Sequence, residues 1–294
     1  MKEIKLTDKI LNLTHKDLDG VVCSILLKNL FKNITIITTN FEDINKYLVT
    51  IDYNKYDWVF VTDLHPMSIE YLENPKIILL DHHSSAKEFH DPSKNRFVIS
   101  KNACGSNVTK RFLERYFKID LSKFNSLVYL TKDFDLWIHN NKKSKMLNEL
   151  FYRYWEEKFS ERFADGNTRF TKDEINYIRK KIYNFNEIYN NLEIYELPKI
   201  KGCLITPNDF SNDCCDKLLK SGYKVVISLI PKSKHVSIRH SIENFHMGNF
   251  LKLLKLGGGH HIAAGFTEDD FSTVQERVEK FVNTLSEIII FEED

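Results

Sequence analysis

The sequence lacks a charge excess, a long apolar run and a cysteine-pairing pattern, and each absence removes a class of protein. Lys and Arg number 42 against 41 Asp and Glu over 294 residues, a formal net charge of +1. No broad cationic field is therefore present to hold long duplex nucleic acid by counterion release, although a local cluster can still hold a short anion. The longest apolar stretches, at residues 225–230 and 288–291, fall far short of the ~20 residues of a membrane span. The opening Met1-Lys2-Glu3-Ile4-Lys5 has no apolar core of the kind a secretory signal needs. Five cysteines form no C-x-x-C pair, and the adjacent Cys214 and Cys215 are poorly placed for a relaxed disulfide or a zinc clasp. The expectation is a cytoplasmic protein with reduced thiols and no membrane association. No internal repeat or low-complexity tract is visible.

What is present is core-forming. Hydrophobic residues make up 42% of the chain, with 21 Phe, 13 Tyr and 3 Trp, which argues against disorder. At roughly 150 residues per domain the length predicts two domains. Residues 10–14, 34–38, 58–62 and 76–80 read as short buried strands, and 20–31 carries Val22, Ile25, Leu26 and Leu30 at helical spacing. Strands alternating with helices predict a parallel sheet with right-handed crossovers. Helical patterns follow at 108–116, 121–132, 146–158 and from Thr171, where Thr171-Lys172-Asp173-Glu174 has the form of a capping box. That last helix would run about 30 Å to residue 192. A second α/β rhythm begins at 202. The fold class predicted is α/β: a parallel-sheet domain over 1–170, a helical linker over 171–195, and a smaller α/β domain over 196–294, with a ligand cleft between the two domains.

Four polar constellations interrupt the apolar pattern where elements end. They are THKDLDG at 14–20, VTDLHP at 61–66, LDHHSS at 80–85 and TKDFDLW at 131–137. Each alone has an ordinary explanation as a helix cap or turn. Three of them, however, follow successive strands on one sheet edge, the edge where open parallel sheets bind ligands. Gathering His15, Asp17, Asp19, Asp63, His82 and Asp133 there would cost on the order of a kcal/mol per close like-charge pair, and more where water is excluded. Two divalent cations would offset that cost. A mixed carboxylate and imidazole set suits Mn²⁺, with Mg²⁺ the alternative, and a shared Asp gives the two-metal hydrolytic arrangement. In the second domain, GGGHHIAAGF at 257–266 offers backbone N–H groups to phosphate oxygens, and Arg239 suits a bidentate phosphate contact. The aromatic run at 151–155 reads as core packing or, failing that, a base-stacking platform. Ser84 and Ser85 read as caps.

Together these motifs resemble the DHH phosphoesterase family, named for the triplet seen here as Asp81-His82-His83, with its associated C-terminal substrate-binding domain. The resemblance runs from about residue 10 to 285, and its motif forms are most similar to the oligoribonuclease (nano-RNase) branch. It implies that Asp19, Asp63, His82 and Asp133 hold one Mn²⁺ and that His15, Asp17 and Asp63 hold the other, with Asp63 bridging. It implies that His83 contacts the scissile phosphate or assists the leaving oxygen. Arg239, Gly257, Gly258, Gly259 and His260 would grip the far end of a substrate.

The expected activity is a two-metal phosphodiesterase degrading RNA of about two to five nucleotides to mononucleotides, as a monomer or homodimer. The alternatives are a 3′-phosphoadenosine 5′-phosphate phosphatase, a cyclic or linear dinucleotide phosphodiesterase, and, from another class, an inactive nucleotide-binding regulator. The fourth motif offers Asp135 as well as Asp133; motif position favours Asp133.

Overall fold

The computed structural model describes residues 3–99, 102–259, 261–268 and 270–289. The chain divides into two compact units, Met1–Ile178 and Arg179–Asp294.

In the first unit, β1 (Ile10–His15), α1 (Leu18–Leu30), β2 (Ile34–Thr39), α2 (Ile44–Thr50), β3 (Trp58–Thr62), β4 (Ile77–Asp81) and β5 (Arg96–Val98) come first. The helices α3 (Gly105–Phe117), α4 (Asn125–Asp135), α5 (Lys142–Arg162) and α6 (Lys172–Asn190) follow. The strands form an all-parallel sheet in the order β2-β1-β3-β4-β5. Alternation along each strand explains why both faces are covered. Ile10, Trp58, Phe60, Ile78 and Leu80 pack under α1, α3, α4 and α5. Their neighbours Leu11, Leu13, Val59, Val61, Ile77 and Leu79 pack on the other face against Ile44 and Leu48 of α2.

The four expected strands are there, and β5 and α2 are additions. β5 is three residues long and opens with a charge, which hides it in the sequence; Arg96 is buried because its guanidinium donates to the Leu72 carbonyl at 2.9 Å. The helix expected over 121–132 is a 3₁₀ turn followed by α4, which reaches Asp135.

The division between the units falls within α6. The second unit holds β6 (Ile194–Leu197), β7 (Gly202–Ile205), α7 (Ser211–Lys220), β8 (Val225–Ile230), β9 (His235–His240), α8 (Met247–Leu253), β10 (Gly258–Gly259), β11 (Ala263–Thr267) and α9 (Val274–Ile288). Its sheet is mixed, in the order β10-β11-β9-β8-β7-β6, with only β7 and β8 parallel, joined through α7. Val225, Ile227, Val236 and Ile238 face α8 and α9, whereas Cys203, Ile205 and Val226 face α7. All five cysteines are buried and free. Among the described residues no helix is long and apolar enough to cross a membrane.

The capping box at the start of α6 is closed: Glu174 N donates to Thr171 Oγ1 at 3.2 Å, and Thr171 N donates to a Glu174 carboxylate oxygen at 2.6 Å. Glu174 is fully buried and also accepts from Arg162 Nε at 2.7 Å. Burial alone would raise its carboxyl pKa, but the Arg162 and Thr171 hydrogen bonds outweigh burial and hold it below the usual range. Glu174→Ala should cost on the order of 3 kcal/mol at neutral pH, because Arg162 loses its partner. The stability Glu174 adds is present above the ordinary Glu pKa of ~4.3 and is lost as pH falls through the lowered folded value. Urea melts of wild type and variant at neutral and acid pH should therefore converge toward the acid end.

Candidate metal centre

In the observed strand order the chain leaves β1 for β2 on one side and returns to β3 on the other. The C-terminal ends of β1 and β3 are thus the switch point of the sheet, where a crevice opens. His15 is the last residue of β1, Asp17 is the N-cap of α1 and Asp19 lies in that helix's first turn. Asp63 follows β3 directly, Asp81 ends β4, and His82 and His83 come just after it. The sequence order of strand ends thereby becomes a spatial cluster. His15, Asp17 and Asp63 present ligand atoms within 4.8 Å of one another, as do Asp19, His82 and Asp135, and as do Asp63, Asp81, His82 and His83.

Polar residues beneath the crevice hold it in place. Thr14 Oγ1 lies 3.0 Å from the Gly20 carbonyl, Asn12 Nδ2 donates to Ser24 Oγ at 3.1 Å, and Thr62 Oγ1 donates to Asn12 Oδ1 at 3.0 Å, all fully buried between β1, β3 and α1. Two glycines are required by close approach. A Cβ on Gly20 would stand 2.1 Å from the His15 carbonyl oxygen, and one on Gly105 would stand 2.5 Å from Asp63 Cβ. At Gly105 the N-terminus of α3 reaches the site: the N–H groups of Gly105 and Ser106 both donate to the Asp19 carboxylate, the latter at 3.0 Å. The positive end of that helix steadies the charge of Asp19. Asp63 itself has φ 54°, the left-handed region that Asp tolerates better than most residues.

The carboxylates perturb one another. Burial and the charges of Asp19, Asp17 and Asp135 push the Asp63 carboxyl well above its usual range. Burial and the charges of Asp19 and Asp17 do the same to Asp135. Asp17 behaves oppositely: burial would raise it, but the hydrogen bond and charge of His15, 2.8 Å away, hold it below the usual range. Asp81 and His83 form a second such pair at 2.8 Å. Although burial opposes it, Asp81 raises the His83 imidazole pKa, and His83 lowers Asp81 against the same opposition. His82 is displaced downward by burial, and its Nε2 stands 3.1 Å from Asp63 Oδ1 and 3.6 Å from Asp135 Oδ2.

Both Asp63 oxygens, Asp135 Oδ2 and His82 Nε2 are buried without a hydrogen-bond partner. Orphaned donors and acceptors are rare in folded proteins and call for an absent partner. The carboxylates of Asp17, Asp19, Asp63 and Asp135 with the imidazoles of His15 and His82, all oxygen and nitrogen donors, fit hard or borderline divalent cations such as Mn²⁺ or Mg²⁺. The residues present fit a metal centre.

Most residues singled out from the sequence meet here: His15, Asp17, Asp19, Asp63, His82 and His83. Asp133 does not. Its carboxylate accepts from the backbone N–H groups of Asn140 and Asn141 at 3.0 and 3.1 Å, tying down the loop after α4, and Asp135 takes the place beside Asp19 and His82. Residues two apart on a helix face opposite sides, so only one of the pair can reach the crevice. Nothing in the residue types separates the two; the backbone of Asn140 and Asn141 folding back onto Asp133 does. Sequence reasoning also passed over Asp81 as the group orienting His83, and Phe41, whose ring stands 5.0–5.4 Å from those of His15, His65 and His83. Ser85 Oγ bonds His65 Nε2 at 2.7 Å.

In the second unit, Arg239 lies on β9 and its Nη2 donates to Asn212 Oδ1 at 2.9 Å. The glycine run is not an open loop: Gly258 and Gly259 pair with Gly265 and Ala264 of β11, and a Cβ on Gly257 would collide with the Gly265 carbonyl at 2.2 Å. His260 lies outside the described residues.

Residues 9–131 match the family model described as DHH family, N-terminal domain. Over this segment, under half of the chain, the protein is similar to the DHH family. Over 153 residues it is 28% identical to a 3′,5′-cyclic-nucleotide phosphodiesterase of Helicobacter pylori, a stretch covering 44% of each protein, so the match spans under half of that relative. Among solved structures, the pGpG-specific phosphodiesterase PggH of Vibrio cholerae superposes with a TM-score of 0.58 at 18% identity, covering 94% of this chain and 99% of that one. RecJ of Thermus thermophilus in complex with Mn²⁺ gives 0.57 at 13% identity over 94% of this chain and 52% of that one. At these identities the structural likeness is one of fold.

The folded protein binds the Asp63 proton more tightly than the unfolded chain does. Without metal, wild type therefore loses stability as pH rises from the ordinary Asp value of ~3.9 toward the raised one. Asp63→Asn removes that slope. In EDTA near pH 7 the variant should be more stable than wild type by on the order of 1 kcal/mol. Mn²⁺ should raise the melting temperature of wild type and leave that of the variant unchanged; thermal melts with and without metal check both.

Proposed function

We propose that the chain is a divalent-metal phosphodiesterase that degrades very short RNA, from dinucleotides to about pentamers, to mononucleotides, in the manner of the oligoribonuclease (nano-RNase) branch of the family. The observation that carries the reading is the buried, unpartnered Asp63 carboxylate at the meeting point of His15, Asp17, His82 and its other neighbours. In this reading Asp63 is shared, His15 and Asp17 complete one cation position, and Asp19, His82 and Asp135 complete the other. Bound there, divalent cations supply Lewis acidity to the phosphoryl oxygens and acidify water.

The chain's own groups supply the rest. Asp81 holds His83 Nδ1 and raises the imidazole pKa, which leaves a proton on Nε2 for the departing ribose oxygen. The α3 N-terminus keeps Asp19 oriented while its remaining lone pairs face the crevice. In the second unit, Arg239 supplies a guanidinium suited to a phosphate.

A substrate of this size is supported by the structural neighbour named for pGpG, itself a linear dinucleotide. The Helicobacter pylori relative, named for cyclic nucleotides, favours a second reading in which a cyclic nucleotide is opened at the same site.

A turnover panel with Mn²⁺ or Mg²⁺ decides: labelled RNA from dinucleotide to decamer, cyclic mononucleotides and 3′-phosphoadenosine 5′-phosphate. Dinucleotides should be cleaved fastest, with the decamer at least about tenfold slower. A flat length profile, or faster turnover of cyclic nucleotides or of 3′-phosphoadenosine 5′-phosphate, would overturn the substrate assignment. Asp63→Ala and Asp135→Ala should each lower kcat by about 10³-fold or more while remaining folded. Asp133→Ala should instead act first on stability, costing about 1–3 kcal/mol because the loop N–H groups lose their acceptor.

A further inference from the structure

The bend in α5 combines backbone strain with exposed aromatic rings beside the crevice. Trp155 has φ 56° and ψ −173°, a conformation almost confined to glycine. Five consecutive residues here point in three directions. Phe151 is fully buried in the core. Arg153 and Tyr154 turn to the first turn of α6, where they bond Asp173 at 2.6 Å and Glu174 at 3.1 Å. Tyr152 and Trp155 face out, 52% and 54% exposed, with their rings edge-to-face at 5.9 Å and 88°. Both rings touch the buried Phe151, at centroid distances of 5.2 and 6.1 Å, and each still leaves about half of its surface to solvent.

The bend is pinned to the ligand-binding edge of the sheet. Glu156, the next residue, accepts from Thr38 Oγ1 at 2.8 Å. Thr38 pairs with Thr14 in β1, one step before the His15–Thr39 pair. From the helix side, Tyr152 lies within electrostatic reach of Asp17, whose charge adds to burial in pushing the phenol pKa up. Both lines place the aromatic corner next to the His15 and Asp17 arm of the candidate metal centre.

We propose that Tyr152 and Trp155 form a nucleobase subsite for the nucleotide whose phosphate enters that centre, an inference that rests on the phosphodiesterase reading above. The exposed face of one ring stacks on the base while the perpendicular ring closes against its edge. Such a platform accepts any base, since every base has a π-face, and it favours purines through greater overlap. The strained backbone at Trp155 interrupts the regular helix and leaves the indole 54% exposed.

The test is binding by titration calorimetry, with Ca²⁺ replacing Mn²⁺ to suppress turnover, using 5′-phosphorylated diadenylate and its doubly abasic counterpart. Trp155→Ala and Tyr152→Ala should each weaken diadenylate binding roughly tenfold, while affinity for the abasic diester changes less than about twofold. Trp155→Phe should recover most of the loss. Trp155→Gly should also lose affinity even though it relieves the backbone and melts no lower than wild type, which separates a binding role from a folding one. Unchanged diadenylate affinity in the alanine variants, or equal losses on both ligands, overturns the subsite, as does a wild type that binds no diadenylate. A wild type that binds diadenylate but never hydrolyses it with Mn²⁺ or Mg²⁺ overturns the phosphodiesterase reading, and the variant comparison still decides the subsite.

Discussion

Bringing the carboxylates of Asp17, Asp19, Asp63 and Asp135 around one point costs free energy twice, through lost hydration and through mutual repulsion. The upward displacement of Asp63 and Asp135 records both costs. A fold tolerates such an arrangement only when the surrounding structure over-determines it, and here it does. The strand order fixes three of the contributing backbone segments at one edge, the buried Asn12, Thr14, Ser24 and Thr62 network locks β1 to β3 and α1, and Gly105 brings the start of α3 against Asp63.

The individual groups are tuned by what the scaffold gives each of them. Asp17 gains His15 and a helix-start N–H, and stays ionised. Asp19 gains two backbone donors from α3. The Asp63 carboxylate accepts no hydrogen bond and stands 3.1 Å from His82 Nε2, which makes it the group most in need of a cation. His83 is set apart from His82 although the two are adjacent: one is paired with Asp81 and raised, the other is desolvated and lowered. Adjacent imidazoles displaced in opposite directions suit different tasks, proton donation for one and ligation for the other.

Much of this was legible in the sequence, for physical reasons. Strand and helix periods are set by burial, so four of the five strands of the parallel sheet and the helix α1 could be read from spacing, whereas α2, with only Ile44 and Leu48 buried, could not. Acids and histidines at the ends of apolar runs have few structural uses in combination, so the first three motifs stood out. What could not be read depends on tertiary contact. Asp133 and Asp135 are chemically identical and both close a helix; the difference is made by the backbone of Asn140 and Asn141 folding back onto one of them. The part played by Gly105 is visible only once α3 is seen against β3. The glycines at 257–259 suggested an open anion cradle because glycine permits many conformations, and the structure spends two of them on an edge strand. β5 escaped notice because its buried Arg96 imitates a surface residue.

The grip of the α3 N-terminus on Asp19 also bears on how quickly an ion is taken up. A carboxylate already fixed by two main-chain donors need not search for its rotamer when a cation arrives, so the ordering entropy at that position is spent during folding. An ion arriving there would be slowed chiefly by shedding its own water, and Mg²⁺, which dehydrates reluctantly, would enter more slowly than a softer ion such as Mn²⁺.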